Sequence, residues 1–184
     1  MVSIDRFQAV KESELKILER WFENEDTRRR MDGMLPLDEW YARVNKDKHD
    51  TVIMAYDGQL PAGMVVIEFG EKRTYIGLIV NPLYRLQGYG KRILQKLMTE
   101  PDFTSVREWV ACIEEDNRIS LACFQAAGFT LEDTEPDEDG FLTLILPADL
   151  IETQKEGKKP SRFHLHSARI TDLDQLFPFI FSLK

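Results

Sequence analysis

The stretch that most constrains the fold runs from residue 76 to residue 99, IGLIVNPLYRLQGYGKRILQKLMT. Its apolar start, Ile76 to Val80, is typical of a buried strand. Asn81-Pro82 ends that strand because the residue before a proline disfavours the helical conformation. Beyond Gly90, apolar residues recur at helical spacing as far as Met98. The stretch therefore predicts a strand, a glycine-rich turn and a helix in succession.

The turn, Arg85-Leu86-Gln87-Gly88-Tyr89-Gly90, has the composition of an anion-binding loop. Glycines adopt conformations that a Cβ would forbid, and the first N–H groups of a helix have no partner within it. Together with the helix dipole they favour a phosphate or pyrophosphate. Two well-known phosphate loops do not fit, because Arg92 follows Gly90-Lys91 and Ile93 stands where a third glycine would be needed.

A second informative segment covers residues 109–129, WVACIEEDNRISLACFQAAGF. Trp109 to Ile113 predicts a strand, and a polar turn leads to Asn117. A short helix follows, and Gly128 is placed to end it.

These two segments, in this order and at this spacing, resemble motifs A and B of the GCN5-related N-acetyltransferase (GNAT) superfamily. The resemblance covers about residues 1–150. It implies an α/β (α+β) fold, with a mixed, mostly antiparallel central sheet of about seven strands and helices on both faces. It also implies an N-acetyltransferase that moves an acetyl group from acetyl-CoA to a primary amine of a small molecule or peptide by direct transfer.

The resemblance further implies that the motif A strand diverges from its neighbour near its end. There, the backbone of Ile79 and Val80 would pair with the pantetheine arm, and the N–H of Val80 would point at the thioester oxygen. Asn117 would also contact the arm, or it could simply cap its helix. Ser120 could donate a hydrogen bond at the site or lie on the helix surface. The implied cofactor-binding residues are Ile79, Val80, Arg85, Leu86, Gln87, Gly88, Tyr89, Gly90, Lys91, Asn117, Ser120 and Phe124.

Transfer to an amine needs a base, because an ammonium has a pKa near ~10. Glu68 shares a strand face with Met64 and Val66, where partial burial would raise its pKa; alternatively it faces solvent at the strand end. Glu114, at the end of the motif B strand, is the second candidate, or else a solvated loop acid. With Val80 as the carbonyl-polarising backbone group, these are the predicted catalytic residues.

Phe124 departs from the family pattern. Many members carry a tyrosine there to protonate the leaving thiolate. Tyr84, Tyr89 or Ser120 could serve instead, or the thiolate could leave unprotonated, since a thiol pKa is near 8.5. The substitution leaves open an alternative, a catalytically weak acyl-CoA-binding regulatory module of a longer tandem protein.

Acceptor choice in the superfamily depends on the first two helices and nearby loops. Arg28, Arg29 and Arg30 could bind an anionic acceptor or form a solvated helix face. Trp40 and Tyr41 could line a pocket or pack in the core. The sequence leaves the acceptor amine open.

Composition narrows the setting. Of the 184 residues, 43% are hydrophobic, and the net charge of -8 argues against nonspecific nucleic-acid binding. Two cysteines give neither a disulfide framework nor a zinc pattern, and we expect no metal. We expect no membrane partner and a cytoplasmic location; a homodimer is compatible with the sequence.

Residues 151–162 have the composition of a linker. Residues 163–184 are predicted to form a strand–helix tail that resembles the start of a second GNAT-like unit.

Overall fold

The computed structural model describes residues 2–47 and 49–148. The predicted linker and the strand–helix tail lie outside these described residues. The strands and helices are β1 (Arg6–Ala9), α1 (Leu15–Trp21), α2 (Glu25–Arg30), α3 (Leu37–Val44), β2 (Asp50–Asp57), β3 (Leu60–Phe69), β4 (Thr74–Val80), α4 (Tyr89–Leu97), β5 (Glu108–Glu114), α5 (Arg118–Ala126), β6 (Thr130–Leu131) and β7 (Phe141–Pro147). Short 3₁₀ turns cover Glu12–Glu14, Asp32–Met34, Pro82–Tyr84 and Pro101–Phe103.

The strands form one seven-stranded sheet in the order β1-β2-β3-β4-β5-β7-β6. Neighbours are antiparallel, except for β4 and β5, which run parallel. A parallel pair needs a crossover connection, which α4 supplies here. The predicted mixed, mostly antiparallel sheet of about seven strands is therefore confirmed.

Each face of the sheet has its own apolar core. On one face, α1 and α3 bring Leu18 and Trp40 against Met64 of β3. On the other, α4 brings Ile93 against Val65 of the same strand. Successive side chains of a strand point to opposite faces. The continuous apolar run of β3 is therefore explained by burial on both sides.

One helix has no counterpart in the sequence analysis: residues Glu25–Arg30 form the helix α2. Asn24 caps it by accepting a hydrogen bond from the backbone N–H of Thr27 at 3.0 Å. The short strand β6 has only two residues, which pair with β7.

Trp40 and Tyr41 pack in the core, the second of the two possibilities that the sequence left open. Trp40 is buried, and the Tyr41 hydroxyl donates to the carbonyl of Val10 at 2.8 Å. Within residues 2–47 and 49–148, no helix is long and apolar enough to cross a membrane. The cytoplasmic location and the homodimer stay predictions.

Candidate active site

The central feature is a gap between β4 and β5. The two parallel strands pair only at Thr74–Trp109 and Tyr75–Val110, although both continue for several residues. On its other side, β4 stays paired with β3 along its whole length, from Thr74 to Val80. The strands therefore diverge towards their carboxyl ends.

The polar backbone of β4 points into this gap. The N–H of Asn81 donates to the carbonyl of Ala62 in β3 at 2.9 Å. Antiparallel pairing alternates along a strand, so the N–H groups of Val80 and Leu78 point the opposite way, towards β5. A substrate carbonyl lying in the gap would find these donors already oriented.

The motif A loop turns sharply at the open end of the gap. Leu86 and Gly88 have φ angles of 61° and 90°, and this left-handed conformation costs a non-glycine residue roughly 1–2 kcal/mol. Gly88 stands at the N-cap of α4 without a side-chain cap. The first N–H groups of α4 have no acceptor within the helix, so they are available to an anion.

The two motif A glycines have different roles. A Cβ on Gly88 would meet nothing within 4 Å, so this glycine is required by its backbone angle. A Cβ on Gly90 would lie 2.6 Å from the sulfur of Cys123 and 3.2 Å from a methyl of Val80. Gly90 therefore serves the close packing of α4 on α5 and β4.

A cavity of about 390 Å³ extends from this loop into the gap, within the size range of ligand sites. Its lining is mainly apolar, with charged groups near the loop. Most of the predicted cofactor residues line it: Ile79, Val80, Arg85, Leu86, Gly88, Gly90, Lys91, Asn117 and Ser120. We call it the cofactor cavity.

A second cavity, of about 420 Å³, adjoins the first one at the gap. Leu78, Asn117 and Ser120 line both cavities, so the two meet at the divergence of β4 and β5. We call the second one the acceptor cavity. Its acidic lining residues are Asp32, Glu114 and Asp139.

The structure does not bring every predicted residue to the cofactor cavity. Gln87 and Tyr89 line neither cavity. The Tyr89 hydroxyl lies 3.0 Å from Asp57 on the β2–β3 hairpin, and burial, then the bond to Asp57, raises its pKa. Tyr89 is therefore a poor candidate for protonating a thiolate. Phe124 is buried beside Phe129 and lines the acceptor cavity only.

Arg85 is held by α2. Its guanidinium donates to Asp26 at 3.0 Å, to Asn24 at 3.2 Å and to the hydroxyl of Thr27. Sequence reasoning missed this partner because it missed α2. The signal was present, since Asn24 begins an acid-rich turn and three arginines end it, the polarity that a helix dipole favours.

The three arginines of α2 divide into two groups. Arg28 is exposed, as expected for a solvated helix face. Arg29 donates to Asp116 at 3.2 Å. Arg30 donates to Asp116 at 2.8 Å and also binds Glu114. Neither sequence alternative anticipated these ion pairs across the mouth of the gap.

The two predicted acids differ in position. Glu114 lines the acceptor cavity and is bound by Arg30. Glu68 pairs with Tyr75 at the closed end of β4, roughly 17 Å along the strand from Val80, and lines neither cavity. The register places Glu68 on the same sheet face as Gly77, which does line the acceptor cavity.

Burial raises the pKa of Glu68 to about 7, and the carboxylates of Asp50 and Asp47 contribute. Asp50 is the cross-strand neighbour of Glu68, and burial raises its pKa to about 6. Glu68 can therefore exchange a proton near neutral pH. Its position excludes direct proton transfer beside Val80.

Comparison with known proteins agrees with this geometry. Residues 15–129 match the model of the Acetyltransferase (GNAT) family. The chain belongs to the GNAT family. The uncharacterized N-acetyltransferase YfmK of Bacillus subtilis (strain 168) is 93% identical over 146 residues, which cover 79% of this chain and 99% of the relative. The sequence-based assignment of an N-acetyltransferase is confirmed.

Solved structures share the GNAT fold at low identity. The aminoglycoside N(6')-acetyltransferase of Legionella pneumophila has a TM-score of 0.70 at 14% identity, covering 84% of this chain and 99% of its own. The spermidine N-acetyltransferase of Vibrio cholerae, solved with CoA and spermine, has a TM-score of 0.67 at 13% identity, covering 80% and 97%.

Proposed function

We propose that this GNAT enzyme transfers an acetyl group from acetyl-CoA to a primary amine of a small molecule, directly within a ternary complex. The observation that carries the proposal is the meeting of two cavities at the β4–β5 gap. One begins at an anion-binding helix end, and the other is lined by carboxylates. Two substrates, one in each cavity, can therefore meet at one point.

The cofactor cavity fits acetyl-CoA in its distribution of polar groups. The free N–H groups at the start of α4 suit a pyrophosphate, and Lys91 adds a positive charge beside them. The apolar wall along Ile79 and Val80 suits a pantetheine arm. Acetyl-CoA supplies the activated thioester, and the N–H groups of Leu78 and Val80 are directed to polarise its carbonyl. One such donor typically contributes about 3–4 kcal/mol to the transition state.

The acceptor cavity favours a cationic amine. Its two arginines already bind Glu114 and Asp116, whereas Asp32 and Asp139 lie exposed at its edge. A cationic substrate is attracted by such a cavity. Two structural neighbours bear the names of enzymes for aminoglycosides and spermidine, which are both small polyamines.

Two acids share the work on the acceptor in this proposal. Glu114, fixed by Arg30, holds the ammonium in the cavity. Glu68 receives the proton through water along the Gly77 face, since its pKa of about 7 matches that task. For the thiolate, Ser120 would donate a hydrogen bond, since it lines both cavities.

The test is thiol release. The protein should bind acetyl-CoA by calorimetry, and small polyamines should release free CoA faster than an amine with a single positive charge, such as a peptide N-terminus. Mass spectrometry of the product should show one acetyl group added to the amine. Tight acetyl-CoA binding without thiol release from any amine would favour the alternative of a binding module, which the comparisons do not support.

A further inference from the structure

The open end of the β4–β5 gap is joined by side chains rather than by backbone hydrogen bonds. The motif A loop follows β4, and its Arg85 is bound by the start of α2. The turn after β5 carries Asp116, which is bound by Arg29 and Arg30 at the end of α2. The six residues of α2 therefore span both walls of the cleft.

The ionic contacts along α2 form a connected series. Asp26 accepts from Arg85 through one carboxylate oxygen, at 3.0 Å, and from Arg30 through the other, at 2.9 Å. Arg30 continues the series to Glu114 and Asp116. Its side chain is only 14% exposed, and it lines both cavities.

The hydrogen bonds of Arg30 also dominate its electrostatics. Burial alone would lower its pKa, but hydrogen bonds to Asp116, Asp26 and Glu114 outweigh burial and raise the pKa above its ordinary value. The pKa of Asp116 is lowered by its bond to Arg30. Charged hydrogen bonds of this kind are the strong ones, particularly where solvent is partly excluded.

We propose that α2 is a crosspiece that fixes the width of the cofactor cleft, and that Arg30 and Asp26 are positioning residues that couple its two walls. The inference rests on the proposed binding of acetyl-CoA in this cleft. With the crosspiece intact, the N–H groups of β4 and the wall of α5 are held at the separation that the pantetheine arm needs. When it is broken, the walls separate and the cofactor is bound more loosely.

Asp26→Asn is the decisive variant because two explanations predict opposite results. Removing a negative charge beside the phosphate site would, by Coulomb attraction alone, tighten the binding of an anionic cofactor. The crosspiece predicts that the dissociation constant for acetyl-CoA rises about 10-fold, with faster dissociation in stopped flow. An unchanged or lower dissociation constant would overturn the inference.

A double-variant cycle tests whether the contacts act in series. Arg30→Gln should also weaken binding about 10-fold. The combined Asp26→Asn/Arg30→Gln variant should bind acetyl-CoA about as well as the single variant with the lower affinity, because either change alone already breaks the series. Independent, multiplying effects would contradict the coupling. Arg30→Lys should restore part of the affinity.

Arg28→Gln is the matched control. It removes the same charge from the same helix, and Arg28 makes no side-chain hydrogen bond or ion pair with the described residues. Its affinity for acetyl-CoA should equal that of the wild type.

Thermal melts separate a general loss of stability from the proposed role. A residue that only stabilises the fold lowers the melting temperature when it is changed, but it leaves the affinity unchanged at temperatures well below that melting temperature. If the wild type itself fails to bind acetyl-CoA, the proposed function is wrong; if only the variants behave otherwise, this inference is wrong.

Discussion

The two ends of β4 are held by different forces. At its beginning, β4 is hydrogen-bonded on both sides, to β3 and β5, and an aromatic cluster packs beside it. At its end, β4 is no longer hydrogen-bonded to β5. There, the motif A loop and the turn after β5 are connected through the charged side chains of α2. The open end of the cleft is thus connected by longer and more polar contacts than the ladder hydrogen bonds of the closed end.

This difference separates stability from binding. Burial of apolar rings contributes to stability at any ionic strength, whereas ion pairs that are partly exposed are weakened by salt and depend on protonation. We therefore expect changes at the closed end to alter folding and changes at the open end to alter affinity. The predictions below test that separation, beginning with the largest effect.

Phe103→Ala should have the largest effect on stability. Phe103 is buried, with its ring centroid 5.8 Å from that of Trp109 and 6.3 Å from that of Phe69. Truncation of a buried phenylalanine typically costs about 3–5 kcal/mol of the free energy of unfolding. Urea unfolding should show this loss, while the acetyl-CoA dissociation constant of the folded variant stays close to that of the wild type. A large loss of affinity would show that the two ends are not separable.

Gly88→Glu should have the largest effect on binding. It places a carboxylate where the loop and the start of α4 would bind a pyrophosphate, so affinity for acetyl-CoA should fall at least about 100-fold. Calorimetry measures the loss directly.

Gly58→Glu is the control for Gly88→Glu. Gly58 also has a positive φ, 60°, a Cβ on it would meet nothing within 4 Å, and it lies on the β2–β3 hairpin. Both variants should lose roughly 1–2 kcal/mol of stability from backbone strain, but only Gly88→Glu should lose affinity. Equal affinity in the two variants would remove the motif A loop from the binding site.

Glu68→Gln should reduce turnover with little change in acetyl-CoA affinity. We expect the turnover rate to fall about 10²-fold. This is at the low end for loss of a general base, because the proton is transferred through water. The rise of activity with pH through about 7 should disappear, because that rise reports ionisation of Glu68.

Asp50→Asn sharpens the assignment of Glu68. Asp50 raises the pKa of Glu68 by charge repulsion, so its removal should shift the rising limb of the pH–rate profile to lower pH without abolishing turnover. A limb that stays in place would mean that another group controls the rate.

The sequence predicted those parts of the molecule that depend on local pattern. The strand, turn and helix at residues 76–99 follow from an apolar run, a proline and helical spacing, and all three are present in β4 and α4. Asn117 was predicted either to contact the cofactor or to cap its helix. It accepts a hydrogen bond from the N–H of Ser120 and also lines the cofactor cavity.

The parts that escaped prediction depend on residues far apart in the chain. The bond between Arg85 and Asp26 joins positions 59 residues apart, and the one between Arg30 and Asp116 joins positions 86 residues apart. No periodicity encodes such a pair. Likewise, the raised pKa of Glu68 depends on its cross-strand neighbour Asp50, which only the register of β2 and β3 reveals.

The smallest predicted effect concerns how the stability of the closed end depends on pH. Burial raises the pKa of Asp50 to about 6 and that of Glu68 to about 7, against about 4 in an unfolded chain. The folded state therefore binds these protons more tightly, so their stabilising contribution is complete below about pH 4 and is lost as pH rises through 6 and 7.

Glu68→Gln removes one of these titrations, because glutamine stays neutral. The melting temperature of the variant relative to the wild type should therefore increase steadily from about pH 5 to about pH 8, and the added change Asp50→Asn should extend the increase. Glu71→Gln is the control, since it removes the same charge from an exposed position in the turn after β3. A difference for Glu68→Gln that does not vary with pH would mean that the Glu68 carboxyl is solvated at the closed end, and the proton transfer assigned to it would lose its physical basis.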